Sequence, residues 1–274
     1  MVLQLYADLC GDGSHSHQDG THQGMGCACF VNVRIIETDS FYVDEQGQPY
    51  EPVHEILDED YQEFRMSHRE VCTAAVPEFM AIILSIYHGI KMIQKAQAKW
   101  KLASASIFIN IYSDSQNVIN YIRGPGEGHL MQVPWLAVMM GMTRAMLDHY
   151  DNWQLKYKIE RMPRSDPIMF DCNKDAIEHR DKHLPNVNVD PWIEGELNCA
   201  VSQCARIKRM LNEDRFHSTK AGIKNTNWVF IPQRITVPVE NLIINRNTCF
   251  HSLQGETFAD WYWRQGFDSN QVFS

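Results

Sequence analysis

The 274-residue chain has few of the features that would place it quickly. Its eight cysteines (Cys10, Cys27, Cys29, Cys72, Cys172, Cys199, Cys204 and Cys249) include no Cys-x-x-Cys pair, which argues against a zinc knuckle. Several lie in apolar runs of a chain too long to need disulfides for a core, so buried reduced thiols are expected. The N-terminus lacks a basic start followed by an apolar stretch and a small-residue cleavage site, and no apolar run is read as long enough to span a bilayer. The expectation is a soluble intracellular protein, cytoplasmic or nuclear, with no membrane partner. There is no internal repeat and no low-complexity segment. Positive charge is also short: the net charge is −9, which excludes a grip on nucleic acid through overall charge alone.

That acidity is uneven. Residues 1–185 carry 16 Lys and Arg against 25 Asp and Glu, whereas residues 186–274 carry 9 against 9. The surplus of carboxylates belongs to the first two thirds, where a cluster of them can hold metal ions. With 44% hydrophobic and 22% charged residues, the composition is that of an ordinary globular protein able to bury a core.

The stretch Ile107 to Ile122 organises the rest. Ile107, Ile109 and Ile111 alternate as a strand, and Val118, Ile119 and Ile122 then fall at helical spacing. Ser113-Asp114-Ser115 lies between them, at the carboxyl end of a strand, where open α/β sheets bind ligands. Taken alone, Asp114 or Ser115 would serve as a helix N-cap.

Before it, Leu3, Leu5 and Ala7 alternate with Gln4, Tyr6 and Asp8 as a first strand, ended by Gly11-Asp12-Gly13-Ser14. A Gly-rich loop follows with His15, His17 and His22, which reads as a surface loop with a lesser chance of holding a metal. Residues 27–36 read as a second strand and Phe41 to Val43 as a third, with residues 44–70 an acidic loop or short helix. Val76, Phe79, Met80, Ile83, Leu84 and Tyr87 mark a helix that runs to about Trp100, with Glu78 near its start.

After the breaker at residues 124–128, Trp135, Val138, Met139, Met142, Met146 and Leu147 form the apolar face of a helix. Trp153 to Ile159 is a strand. Asp166-Pro167 starts a last helix, with Asp166 its N-cap, and this helix carries Asp171. Leu184-Pro185-Asn186 marks a boundary, so that a domain of residues 1–185 is followed by a C-terminal accessory region, 186–274. That region has a basic amphipathic helix at Ala200 to Leu211, two short β-like runs (residues 228–231 and 234–237) and an aromatic end.

Carboxylates thus fall on the first strand (Asp8), the first long helix (Glu78), the end of a later strand (Asp114) and the last helix (Asp171). In that order, and with Ser113-Asp114-Ser115-Gln116-Asn117-Val118, Glu78-Phe79-Met80-Ala81 and Phe170-Asp171-Cys172-Asn173 as local matches, the chain resembles the ribonuclease H family over roughly residues 1–183. The resemblance implies an α/β fold with a mixed five-stranded sheet flanked by helices. It also implies a metal-dependent endonuclease that cuts the RNA strand of RNA–DNA hybrids with two Mg²⁺ or Mn²⁺ ions on Asp8, Glu78, Asp114 and Asp171.

Asp12 is the alternative to Asp8. Asp12-Gly13-Ser14 matches the family's motif better, whereas strand phase favours Asp8. The segment before the last helix has Arg164 in place of the cellular members' His, and Arg164, Ser115 and Gln116 are the expected substrate contacts. The basic cluster of Arg206, Lys208, Arg209, Arg215, Lys220 and Lys224 is a further candidate grip on nucleic acid. Rival readings are a nuclease of the same fold acting on DNA or structured nucleic acid, and a non-catalytic nucleic-acid or protein-binding module.

Overall fold

The structure is a computed structural model, and it describes residues 2–16, 24–38, 54–70, 72–102, 106–123 and 156–212, with a few positions between 136 and 147. Strands β1 (Val2–His15), β2 (Met25–Thr38), β3 (His54–His68), β4 (Ser106–Ser113) and β5 (Lys156–Arg161) form one sheet in the order β3-β2-β1-β4-β5. β1, β2 and β3 pair antiparallel, whereas β4 runs parallel to β1 and β5 parallel to β4. This is the mixed five-stranded sheet, flanked by helices, that the resemblance implied. Helices α1 (Ala75–Trp100), α2 (Gln116–Arg123), α3 (Pro167–Lys182) and α4 (Pro191–Asn212) flank it.

α1 is the centre of the core. Its apolar residues are not confined to one stripe, and Val76, Phe79, Met80, Ala81, Ile82, Ile83, Leu84 and Ile86 are all buried. Leu5, Ala7 and Leu9 of β1 and Ile107, Ile109 and Ile111 of β4 belong to the same cluster. By length and composition alone α1 is apolar enough to cross a membrane, but 83% of its apolar window is buried inside this fold. α3 packs on the other sheet face, where Met169 and Cys172 meet Cys10 and Phe30. Asp166 caps it as expected, its side chain accepting the Ile168 N–H at 3.0 Å with Pro167 next in the chain.

β1 is longer than the sequence suggested. Gly11 and Gly13 read as the end of a strand, yet β1 pairs with β2 as far as His15↔Met25. The glycines are there for helix–sheet packing, not for a turn. A Cβ on Gly13 would lie 2.2 Å from the Glu78 nitrogen, and one on Gly11 would lie 3.0 Å from Ala81 Cβ. Only residues without side chains let α1 come this close.

The expected loop or short helix at 44–70 is corrected: residues 54–68 are β3, the edge strand. Its pattern is hidden because only Phe64 and Met66 are buried hydrophobics there. Its acids are tied to α1 instead. Lys99 Nζ lies 2.7 Å and Trp100 Nε1 2.6 Å from Asp58, and Lys95 Nζ 3.0 Å from Asp60. The strand expected at Phe41 to Val43 lies outside the described residues, as do the short runs at 228–231 and 234–237.

The described positions of the helix expected after the breaker, among them Val138, Met139, Met142, Met146 and Leu147, are helical and buried. α4, beyond the boundary expected at residue 185, adds Ile193, Leu197, Ala200, Val201 and Cys204 to the main core. Trp192 stacks on Tyr87 of α1 at 5.4 Å between ring centroids.

Candidate metal centre

Three elements converge at the carboxyl end of β1 and β4. β1 contributes Asp12, the first turn of α1 contributes Glu78, and Asp114 follows the last residue of β4. One carboxylate oxygen from each lies within 4.8 Å of the other two. Two parallel neighbours set the level: Cys10 of β1 pairs with Tyr112 of β4, so Asp12 and Asp114 come side by side where the pairing of β1 with β4 ends. The strand-to-helix turn is built by Ser113, whose hydroxyl accepts the Ser115 N–H at 3.1 Å, and by Ser115, whose carbonyl accepts the Ile119 N–H. The carboxylate of Asp114 is thereby left for other partners.

The electrostatics of the trio are those of a site short of positive charge. Asp12 is fully buried. Its Oδ1 accepts the Gly13 N–H at 2.8 Å, but its Oδ2 is buried without a partner. Burial and then the charge of Asp114 push its carboxyl up to about 6. Glu78 is also buried, with Oε2 3.3 Å from the Gly13 nitrogen. Burial first, then the charges of Asp12 and Asp114, hold it well above the usual carboxylate range. Among the described residues one cation answers them: Arg164, in the turn before α3, pairs through Nε with Asp114 Oδ2.

An orphaned, buried carboxylate oxygen beside two further carboxylates fits a divalent cation. All the donors are hard oxygens, the chemistry that selects Mg²⁺ or Mn²⁺ over softer ions.

Of the expected ligands, Glu78 and Asp114 are brought together and Asp8 is not. Asp8 lies four residues back along β1, about 13 Å at the rise of a strand. It is ion-paired with Arg34 and accepts a hydrogen bond from Asn110 Nδ2 at 2.6 Å. Of the two, it is Asp12 that stands with Glu78 and Asp114. The Gly-Asp-Gly triplet was the available signal, and reading its glycines as a breaker obscured it.

Asp171 is not among the carboxylates whose oxygens lie within 4.8 Å of one another. It is exposed on the first turns of α3, and its charge reaches Tyr61 on β3. Of the expected substrate contacts, Arg164 stands at the trio, Ser115 lies in the turn beside it, and Gln116 is exposed at the start of α2, where its amide donates to Asn120 Oδ1 at 2.9 Å. His15 ends β1, whereas His17 and His22 lie outside the described residues. So do Arg215, Lys220 and Lys224. Arg206, Lys208 and Arg209 fall on the described backbone of α4.

No protein-family model matches the chain, and no curated protein does. Solved structures similar to it include two ribonuclease H proteins and a foamy viral protease-reverse transcriptase. LC9-RNase H1, a type 1 RNase H with the type 2 active-site motif, is 9% identical over 79% of this chain and 85% of that one, with a TM-score of 0.39. The PFV RNase H domain is 11% identical over 66% of this chain and 94% of that one, at 0.28. A foamy viral protease-reverse transcriptase in complex with RNA/DNA hybrid is 11% identical over 65% of this chain, which spans 20% of that protein, at 0.30.

Proposed function

We propose that this ribonuclease H-like chain is a divalent-metal-dependent endonuclease that hydrolyses the RNA strand of an RNA–DNA hybrid. The observation that carries the nuclease reading is the trio itself. Asp12 Oδ2 is buried without a partner, and one carboxylate oxygen from each of Asp12, Glu78 and Asp114 lies within 4.8 Å of the other two. A set of buried carboxylates that repel one another is costly as mere structure and suited to cations. Asp12, Glu78 and Asp114 would hold Mg²⁺ or Mn²⁺, and two ions is the number that in-line phosphodiester hydrolysis calls for. When bound, such ions supply Lewis acidity to the phosphoryl oxygens and lower the pKa of water.

The chain's own part is to hold these oxygens rigidly. Asp12 is fixed on a paired strand, Glu78 by the close seat of α1 on Gly13, and Asp114 by the Ser113–Ser115 turn. Burial holds the Glu78 carboxyl above the usual range, and a metal needs the ionised carboxylate, so affinity for the ion rises with pH. Arg164, Ser115 and Gln116 form the side from which a phosphate backbone would approach, with Arg164 offering the forked donor that phosphate accepts. The hybrid as substrate is what the family resemblance implies.

The test is cleavage of a labelled RNA–DNA hybrid in Mg²⁺ or Mn²⁺ by the native protein, Asp12→Asn and Asp114→Asn, with duplex DNA in parallel. Metal-dependent cutting of the hybrid that both variants lose supports the reading. Cutting of duplex DNA alone moves the substrate, and equal cutting by all three proteins rejects the site.

A further inference from the structure

We infer that Arg164 is a displaceable internal counter-ion that competes with metal for Asp114, so that metal loading and nucleic-acid binding reinforce each other. The inference rests on the metal reading of the trio. Arg164 Nε holds Asp114 Oδ2, one of the two oxygens the carboxylate can offer a metal ion, and its positive charge lies where the ion's would. Among the described residues Arg164 is the one cation ion-paired with any of the three carboxylates, and its guanidinium also feels Asp12 and Glu78. It therefore does in part what an ion would do, offsetting the negative charge concentrated there.

The way Arg164 is mounted lets it leave. Its backbone is held in place: Met162 N–H donates to the Ser113 carbonyl at 3.0 Å, and the turn closes through Asp166 N–H to the Pro163 carbonyl at 2.9 Å. Its side chain, by contrast, is 62% exposed, while that of Asp114 is only 9% exposed. The arm can swing into solvent without any change in the chain, and an ion pair with so exposed a member is weak. Asp114 stays where it is.

Two linked equilibria follow. Without nucleic acid, Arg164 on Asp114 weakens metal binding, because the ion must first displace it. A backbone phosphate that engages the guanidinium removes the competitor and tightens the metal, and by reciprocity metal at Asp114 tightens the phosphate contact. The arrangement would keep the site from loading fully until substrate is present.

The experiment measures Mn²⁺ affinity by calorimetry on the full chain at neutral pH for the native protein, Arg164→Ala and Arg161→Ala. Arg161, exposed at the end of β5, controls for loss of one nearby positive charge. Each protein is titrated alone and with a hybrid whose RNA strand is 2′-O-methylated and resists hydrolysis. Arg164→Ala alone should bind Mn²⁺ roughly three- to tenfold more tightly than the native protein, the scale of one exposed ion pair. Arg161→Ala should stay within about twofold, since screening weakens charges that make no contact. The hybrid should tighten Mn²⁺ in the native protein and much less in Arg164→Ala.

Equal or weaker Mn²⁺ binding by Arg164→Ala overturns the inference and leaves the metal reading intact. An equal gain in Arg161→Ala overturns it as well, because the effect would then be one of overall charge. No Mn²⁺ binding by any of the three overturns the metal reading, and this inference with it.

Discussion

Asp8 has a guanidinium and an amide on its carboxylate, whereas Asp12, on the same strand face four residues on, has a partner on one oxygen only. The difference predicts opposite phenotypes. Asp12→Asn should abolish metal-dependent cleavage, by about a hundredfold or more, since even outer partners of metal ligands cost up to that. It should also raise the melting temperature of the metal-free protein by removing a buried, repelled charge. Asp8→Asn should keep metal-dependent activity and lose about 1 kcal/mol or less of stability, as expected for a partly exposed ion pair. Thermal melts in chelator, read beside the cleavage assay, check both.

A second residue-scale prediction concerns His88, buried on α1 and stacked on Phe64 at 3.8 Å. Asp190 and Lys91 are the charged groups that act on it, but burial dominates and pushes its imidazole down to about 4. The unfolded chain binds that proton near the ordinary value of about 6.5, so neutral His88 contributes fully above that pH. Its contribution falls as pH drops from about 6.5 towards 4, by on the order of 3 kcal/mol. Melting temperatures of His88→Phe and the native protein should converge at neutral pH and separate in acid, the native protein falling faster.

At the scale of elements, the seat of α1 on β1 sets the position of Glu78. Gly13→Ala puts a Cβ against the backbone of Pro77 and Glu78 at 2.2 Å, and backbone cannot rotate away. A loss of about 3 kcal/mol or more in urea unfolding is expected, at or beyond the upper end for overpacking. Gly11→Ala meets Ala81 at 3.0 Å and should cost less, about 1 kcal/mol. β3 shows the opposite balance. Its strand character comes from pairing with β2 and from Lys95 and Lys99 of α1, not from its own apolar alternation.

For the whole molecule, α4 decides how far the packed unit extends. Leu197 is fully buried in the cluster that contains α1, β1 and β4. Leu197→Ala should cost about 2–5 kcal/mol and lower the single unfolding transition that also reports α1. A shift confined to a separate minor transition would make α4 an independent element. A chain ending at residue 185 should be unstable for the same reason, because it leaves apolar surface on α1 uncovered.

The sequence by itself marked most of the elements and two of the three carboxylates that come together. Helical spacing marked α1, alternation marked β4, Asp166-Pro167 marked the start of α3, and Glu78 and Asp114 were legible as carboxylates on a helix start and a strand end. These are local signals, written in periods of two or 3.6 residues and in caps that bond to their own neighbours. Only the tertiary structure decided that Asp12, not Asp8, joins them, since β1 continues through Gly11 and Gly13 because α1 lies against it. Only the tertiary structure made residues 54–68 a strand and drew α4 into the core. Each of those outcomes depends on contacts between segments far apart in the chain, and residue order alone does not say which distant surface a glycine, a lysine or an apolar stripe will meet.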